Sequence, residues 1–379
     1  MEFISFIKNI TPKKEKIHCL LVKPNYYSTY PPLGLLKISA LLKLYGNTTE
    51  LVLPPSLASN KPDVIFVTSL FTYGWKKVKE AVDFYRTHYP GVPVILGGIY
   101  ATLMHGHAKE VIKPDFIWNG IIEEAEELCP DYSIVQDWDA SIIFSSRGCI
   151  RRCPFCVVWR LEPKYQAKNE IKHLVEPTHN RIIFWDNNFL ASPYKFEILD
   201  FLALYRNKDG KKVEVDFNQG LDARLLTFPV AERLRRLKMK LIRIAYDRIE
   251  DRQYLKKAIG NLRKAGISSK KVIVYTLYNF KDTPEDFLER LQDIMDWGVA
   301  AYPMRYQPND ALEKDRYVAP HWTPELLEMV AKARRVLGTN GAFPPYEGLK
   351  KKILFARSLE EAMHLREPTT KKVRLATNG

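Results

Sequence analysis

The chain reads as α/β, with an N-terminal doubly wound parallel sheet, a partial (β/α)6 TIM-like barrel and a small C-terminal helical extension. Three observations predict this. Short apolar runs alternate with amphipathic stretches up to residue 138. From Ala140 a strand-like run followed by a helical stretch recurs six times, about every 30 residues. Three cysteines stand together in RGCIRRCPFC, residues 147–156, directly after the first of those six strands. The expected divisions are 1–138, 139–320 and 321–379.

In the first division the runs HCLLV near 18, ELVL near 50, VIFV near 64, VPVIL near 92 and FIW near 116 read as five buried parallel strands. Stretches 33–45, 74–89 and 121–128 have helical spacing, so helices should cover both faces. The ligand crevice of such a sheet lies at the strand ends. There the sequence places PPLG at 31–34, TSLFT at 68–72 and GGIYAT at 97–102, small or hydroxylated residues that let backbone approach a bulky ligand.

The second division has strands expected at 141–145, 181–185, 213–217, 241–246, 271–277 and 302–306. Repeated βα units argue a parallel barrel, and six are too few to close a standard barrel of eight. The extension reads as a helix from Thr323 to about Leu337, a Gly- and Pro-rich turn at 338–348, a short helix near 358–365 and a basic end.

Five cysteines, no apolar stretch of transmembrane length and no signal-peptide pattern predict a protein of the reducing cytoplasm, away from the membrane. Cys19 sits in an apolar run and Cys129 ends an acidic stretch read as a helix, so both are expected to be packing residues. The net charge of +14 is unevenly spread: residues 1–138 carry 14 basic and 14 acidic side chains, the remainder 44 and 30. The segment RLRRLKMK at 233–240, Arg151 and Arg152 and the basic extension together suggest an anionic partner, a nucleic acid or an anionic metabolite, with a solvated basic face as the alternative.

Cys149, Cys153 and Cys156 carry the chemistry. A [4Fe-4S] cluster is ordinarily held by four thiolates. A loop that supplies three leaves one iron with a vacant position, as catalytic metal sites do. The competing assignment is a structural zinc with His173 as fourth ligand, although zinc sites usually draw on two separated ligand pairs.

The spacing CxxxCxxC, with Phe155 before the last cysteine, resembles the cluster loop of the radical S-adenosylmethionine (SAM) enzymes. Segments PPLG and LGGIYAT resemble the N-terminal cobalamin-binding, Rossmann-like domain of a large subgroup of that family; the likeness spans most of residues 17–128. The resemblance implies a [4Fe-4S] cluster, SAM as cofactor, cobalamin as a further cofactor, and a flavodoxin- or ferredoxin-like reductant. It places Asp186 and Asn188 at the methionine amino group of SAM, and Asn218, Gln219, Asp222 and Arg224 where relatives contact its ribose or carboxylate. Tyr246 and Asp247 fall where relatives contact the ribose, and Tyr278 near the adenine. Two departures stand out. No DxHxxG run for a lower cobalt ligand occurs, and NGIIEEAEE replaces the family's Gly-Glu-Gly-Glu turn.

Arg305 and Gln307 alternate with apolar residues on strand six and are the candidate substrate contacts, against a plain barrel-closing salt bridge. No side chain is assigned an acid or base role, because the cofactor supplies the radical. Three functions follow as expectations: a cobalamin-dependent radical methyltransferase, a cobalamin-independent radical enzyme acting on a nucleic acid or anionic metabolite, and a non-enzymatic iron-sulfur protein that binds nucleic acid.

Overall fold

The computed structural model describes residues 2–11, 14–344 and 347–365. Five strands open the chain: β1 (His18–Val22), β2 (Thr48–Val52), β3 (Val64–Ser69), β4 (Val94–Gly98) and β5 (Phe116–Ile117). They form one parallel sheet in the order β2-β1-β3-β4-β5. The strand order reverses between β1 and β3, which makes their C-terminal ends the natural crevice. One face is covered by α1 (Phe3–Ile10) and α2 (Leu33–Leu44), the other by α3 (Trp75–His88) and the short α4 (Ile99–Leu103) and α5 (His105–His107). Covering on both faces explains why β1 and β3 are continuous apolar runs rather than alternating ones. The helix expected at 121–128 is instead a single 3-10 turn, Glu123–Ala125, so Cys129 follows a turn and not a helix. Its glutamates are bonded to partners distant in sequence: Glu124 accepts from the Phe3 amide, and Glu126 from Lys37 and Arg147.

The barrel strands are β6 (Ser141–Ile143), β9 (Arg181–Phe184), β10 (Glu214–Phe217), β11 (Ile242–Ala245), β12 (Val272–Tyr278) and β13 (Ala300–Arg305). A two-stranded antiparallel hairpin, β7 (Ser146–Arg147) and β8 (Gln166–Ala167), is inserted after β6. All six barrel strands run parallel in chain order, as two three-stranded sheets joined by bridges at Glu214–Lys238 and Leu221–Ile244. Besides the short α6 (Val158–Leu161), α7 (Lys195–Leu204), α8 (Phe228–Arg235), α9 (Arg252–Lys264) and α10 (Pro284–Asp296) pack outside. Along β12 burial alternates strictly: Val272, Val274, Thr276 and Tyr278 are buried under helices, while Ile273, Tyr275 and Leu277 face the lumen and stay partly accessible. The lumen is therefore open rather than packed as in a closed barrel.

The extension holds α11 (Pro324–Leu337), α12 (Glu347–Phe355) and α13 (Leu359–Met363), all contributing to the barrel core. Phe343 bonds Ala301 through both backbone groups, at 2.7 and 3.2 Å, so this segment protects the β13 edge. The basic end beyond residue 365 lies outside the described residues. In the 233–240 segment Arg233 and Arg236 pair with Asp200, and Lys240 with Glu214, so three of the five basic residues of that run have acidic partners.

Candidate active site at the barrel mouth

The β7–β8 hairpin sends out residues 148–165 as one loop, and the three cysteines lie on it. Its base is drawn tight at Gly148 (φ 71°), where a Cβ would fall 2.2 Å from the Lys164 carbonyl oxygen. No side chain fits there. The Gly148 amide donates to Glu162 (2.7 Å), the Cys156 amide to the Cys153 carbonyl (3.0 Å), and the Arg151 amide to the Cys149 sulfur (3.3 Å).

All three cysteines are free and half-buried. Burial, then the charges of neighbouring cysteines, pushes the Cys153 thiol up. Burial likewise raises Cys156, against backbone amides that favour its thiolate. Mutual repulsion of this kind is what a cationic centre between thiolates offsets. Among the described residues no three His, Cys, Asp or Glu side chains converge as ligands of one ion do. Three free thiols on one loop are the donor set that three irons of a [4Fe-4S] cluster take. His173 has Nε2 3.0 Å from Glu127 and does not line the cavity beside the cysteine loop.

A cavity of about 270 Å³ lies between this loop and the tips of β10 and β11; Cys153, Phe155, Asp222, Arg224, Asp247 and Asp251 are among its lining residues. Asp222 organises it. Its carboxylate accepts from the Arg224 amide (3.1 Å) and Nε (2.7 Å), from Arg151 Nε (3.1 Å) and from Asn188 Nδ2 (3.1 Å). These donors outweigh burial and hold its carboxyl below the usual range. Asn188 is buried, and its Oδ1 has no partner. An orphaned buried acceptor is costly unless a ligand donates to it, and an ammonium group is such a donor. Asp247 accepts from the Leu277 amide (3.1 Å), and burial pushes its carboxyl up to about 6. The Phe155 ring meets Phe280 edge-on at 5.8 Å, and its carbonyl accepts from Asn309. Phe280, two residues past the end of β12, is the residue that strand-end reasoning missed.

Other expected contacts are engaged in bracing. Asp186 is buried, with its carboxylate receiving Ser145 N (3.1 Å), Ser145 Oγ (2.6 Å) and Ser146 Oγ (2.6 Å), and it ties β9 to the start of the cysteine hairpin. Asn218 accepts from Tyr30 of the PPLG segment (2.9 Å), whose ring packs edge-on against Trp185 at 5.3 Å. Gln219 is exposed on the following turn. Tyr246 turns outward, donating to Asp293 (2.7 Å) beside Trp297. Tyr278 packs between Phe287 and Trp322, and burial pushes its hydroxyl up to about 12. Arg305 donates to the carbonyls of Asp315 (3.0 Å) and Tyr317 (3.1 Å), and Gln307 exchanges two bonds with Asp315. They share a face as expected; it is the side of Tyr278 rather than the lumen, and there both grip the 308–317 loop while Arg305 Nε stays buried without a partner.

The crevice edge of the five-stranded sheet abuts the same mouth: α4 packs on α6 of the cysteine loop, and Thr72 donates to the Ala311 carbonyl (2.6 Å). Along this edge the loops after β1, β3 and β4 expose Tyr27, Phe71 and Ile99. Its hydroxyls are already used, Ser69 on Gly97 and Thr102 on Gly98. Gly98 is required by its close approach to Ser69, where a Cβ would lie 2.2 Å from the carbonyl oxygen. The edge thus offers apolar contact to a broad ligand. The loops after β1 and β3 contain no histidine, and His105 and His107 are bonded to Asn119 and Tyr100.

Among the described residues no helix is long and apolar enough to cross a membrane. No protein-family model and no curated protein matches the chain. Solved structures do. The radical S-adenosylmethionine methyltransferase TsrM from Kitasatospora setae, with cobalamin and a [4Fe-4S] cluster bound, superposes with a TM-score of 0.63 at 14% identity, over 86% of this chain and 79% of that one. The same enzyme with tryptophan substrate and a SAM analog, aza-SAM, gives 0.64 at 13%, over 85% and 77%. Coproporphyrinogen III oxidase HemN from Escherichia coli, a radical SAM enzyme, matches at a TM-score of 0.37 and 13% identity, over 56% of this chain and 57% of that one, too loosely to bear on the fold. Through both the five-stranded sheet and the barrel, the chain has the fold of the radical SAM methyltransferase TsrM.

Proposed function

We propose that this protein is a cytoplasmic radical SAM enzyme that uses cobalamin to transfer a methyl group. Cys149, Cys153 and Cys156 would hold a [4Fe-4S] cluster, and the crevice edge bearing Tyr27, Phe71 and Ile99 would hold cobalamin. Reductive cleavage of SAM supplies a 5′-deoxyadenosyl radical, and cobalamin supplies a methyl carrier. The observation that carries this reading is the convergence of Cys153, Phe155, Arg224 and Asp247 on one cavity, on a fold shared with TsrM.

Around that cavity, with Asn188 behind Asp222 and Phe280 behind Phe155, the chain's own groups would divide the work. Asn188 Oδ1 accepts from an ammonium group, and Asp222 aims the Asn188 amide and the Arg224 guanidinium. Arg224, bonded on one edge to Asp222, keeps donors for a carboxylate. Phe155 and Phe280 give an apolar wall that excludes water. The open lumen, lined by Tyr275 and Tyr302, is where a substrate would meet the radical. An acidic flavodoxin- or ferredoxin-like protein would supply the electron.

Anaerobic reconstitution with iron, sulfide and hydroxocobalamin, followed by desalting and metal analysis, tests the reading. About four irons and one cobalt per chain are expected, with Cys149→Ala losing the iron and keeping the cobalt. Iron without cobalt would leave a cobalamin-independent radical enzyme, and zinc in place of iron would overturn the assignment.

A further inference from the structure

The acidic turn after β5 departs from the pattern it resembles, and its glutamates reach out of their own sheet to the legs of the cysteine hairpin. Glu126 forms a two-point ion pair with Arg147, the last residue of β7 and two positions before Cys149: Nε–Oε2 is 2.7 Å and Nη2–Oε1 is 2.8 Å. Lys37 of α2 closes the other side of the same carboxylate at 2.8 Å. The three side chains are only 9%, 14% and 9% exposed for Glu126, Arg147 and Lys37, and the two cations hold the Glu126 carboxyl down to about 2.

Arg147 then passes the constraint onward. Its Nη1 lies 3.1 Å from Glu162, whose other oxygen receives the Gly148 amide, and its guanidinium sits 3.5 Å from the centre of the Phe144 ring. Each guanidinium nitrogen thereby has a carboxylate partner and one face carries the Phe144 ring, which restricts the orientation of the backbone entering the cysteine loop. The second leg is held by Glu127 through Lys168 and His173, but this carboxylate is well exposed, and exposed pairs constrain little.

We infer that Arg147 is a positioning residue for the three cysteines, and that Glu126 of the cofactor-type half holds it in place. The consequence for a cluster rests on the function proposed above; the clasp itself rests on the buried ion pairs. A planar guanidinium is required, since an ammonium cannot bond Glu126 at two points and Glu162 at a third.

Limited trypsin digestion, read by mass spectrometry at Arg151, Arg152 and Arg160, tests the clasp with or without iron. Arg147→Met should raise cleavage at these loop sites about tenfold or more, because the loop opens locally. Arg147→Lys should recover part of the protection, and Glu127→Gln should change cleavage less than about twofold. In the reconstituted protein, the change that SAM produces in the electron paramagnetic resonance spectrum of the reduced cluster should weaken in Arg147→Met and partly return in Arg147→Lys. Native-rate cleavage of the loop in Arg147→Met overturns the inference. So does a rise spread evenly along the chain together with a lower melting temperature, which marks general destabilisation. If native protein takes up no iron, the proposed function fails, while digestion of the iron-free protein still decides the clasp.

Discussion

The two sides of the barrel mouth use the same kinds of residue for opposite ends. At the tips of β10 and β11, Asp222, Arg224 and Asp247 line an open cavity beside the cysteine loop. At the tips of β12 and β13, Tyr278, Arg305 and Gln307 close on the protein itself. The difference is one of parity. In a parallel pair, in-register residues point to the same face, and Tyr278 pairs with Arg305. Tyr278 is fixed under α10 by Phe287, so Arg305 and its period-two neighbour Gln307 share the outer side with it. Tyr275 and Tyr302, also in register, take the lumen. A polar residue near a strand tip is thus a ligand contact only if its parity, or the turn after it, brings it inward.

The strongest way to break the contrast is Asp222→Ala. Asp222 is nearly inaccessible and receives two arginines and an asparagine; its loss leaves Arg151 and Arg224 without their common partner. Removing one member of such a set should cost about 3 kcal/mol, read as a lower urea midpoint at unchanged slope. Because Asn188 and Arg224 are aimed by this carboxylate, SAM affinity measured by calorimetry should fall by at least about tenfold. A variant of native stability and native affinity would show that the cavity is organised by something else.

A subtler effect on the same side depends on pH. Burial raises the Asp247 carboxyl to about 6 from an ordinary value near 3.9. Between those values the folded chain keeps a proton that the unfolded chain releases. Stability therefore declines as pH rises through this window and levels off above it. Asp247→Asn removes that slope, and solvent reaching the cavity keeps the gain above pH 6 to about 1–2 kcal/mol. Thermal denaturation from pH 4.5 to 7.5 checks it: parallel curves for native and variant protein would place the carboxylate in ordinary solvent.

The same parity argument explains what could be read from the sequence. The strands of the five-stranded sheet and of the barrel were legible, most of them as compact apolar runs such as VIFV and VIVYTLY, whereas the β7–β8 hairpin, only two residues on each side, was not. The cysteine loop was legible from spacing alone. Roles at strand tips were not, since Asp186 and Asn188 read alike as letters, yet one is saturated by Ser145 and Ser146 while the other keeps a free acceptor. Nor could the helix expected at 121–128 be told from a turn, because the partners of its glutamates, Phe3, Lys37, Arg147 and Lys168, are distant in sequence. Long-range pairing overrode local propensity there.

The smallest expected effect lies on the closed side. Gln307 exchanges two bonds with Asp315, at 2.9 and 3.2 Å, but Asp315 is half-exposed and water can replace both. Gln307→Ala should therefore cost no more than about 0.5–1 kcal/mol. SAM affinity and iron content should stay within about twofold of native, since the 308–317 loop is still held by Arg305 at two carbonyls. A fivefold or larger loss of SAM affinity without loss of stability would put Gln307 in contact with the ligand and dissolve the distinction between the two sides. Native affinity with a slightly lower melting temperature is what a brace gives, and set beside Asp222→Ala it separates the side of the mouth that binds from the side that holds.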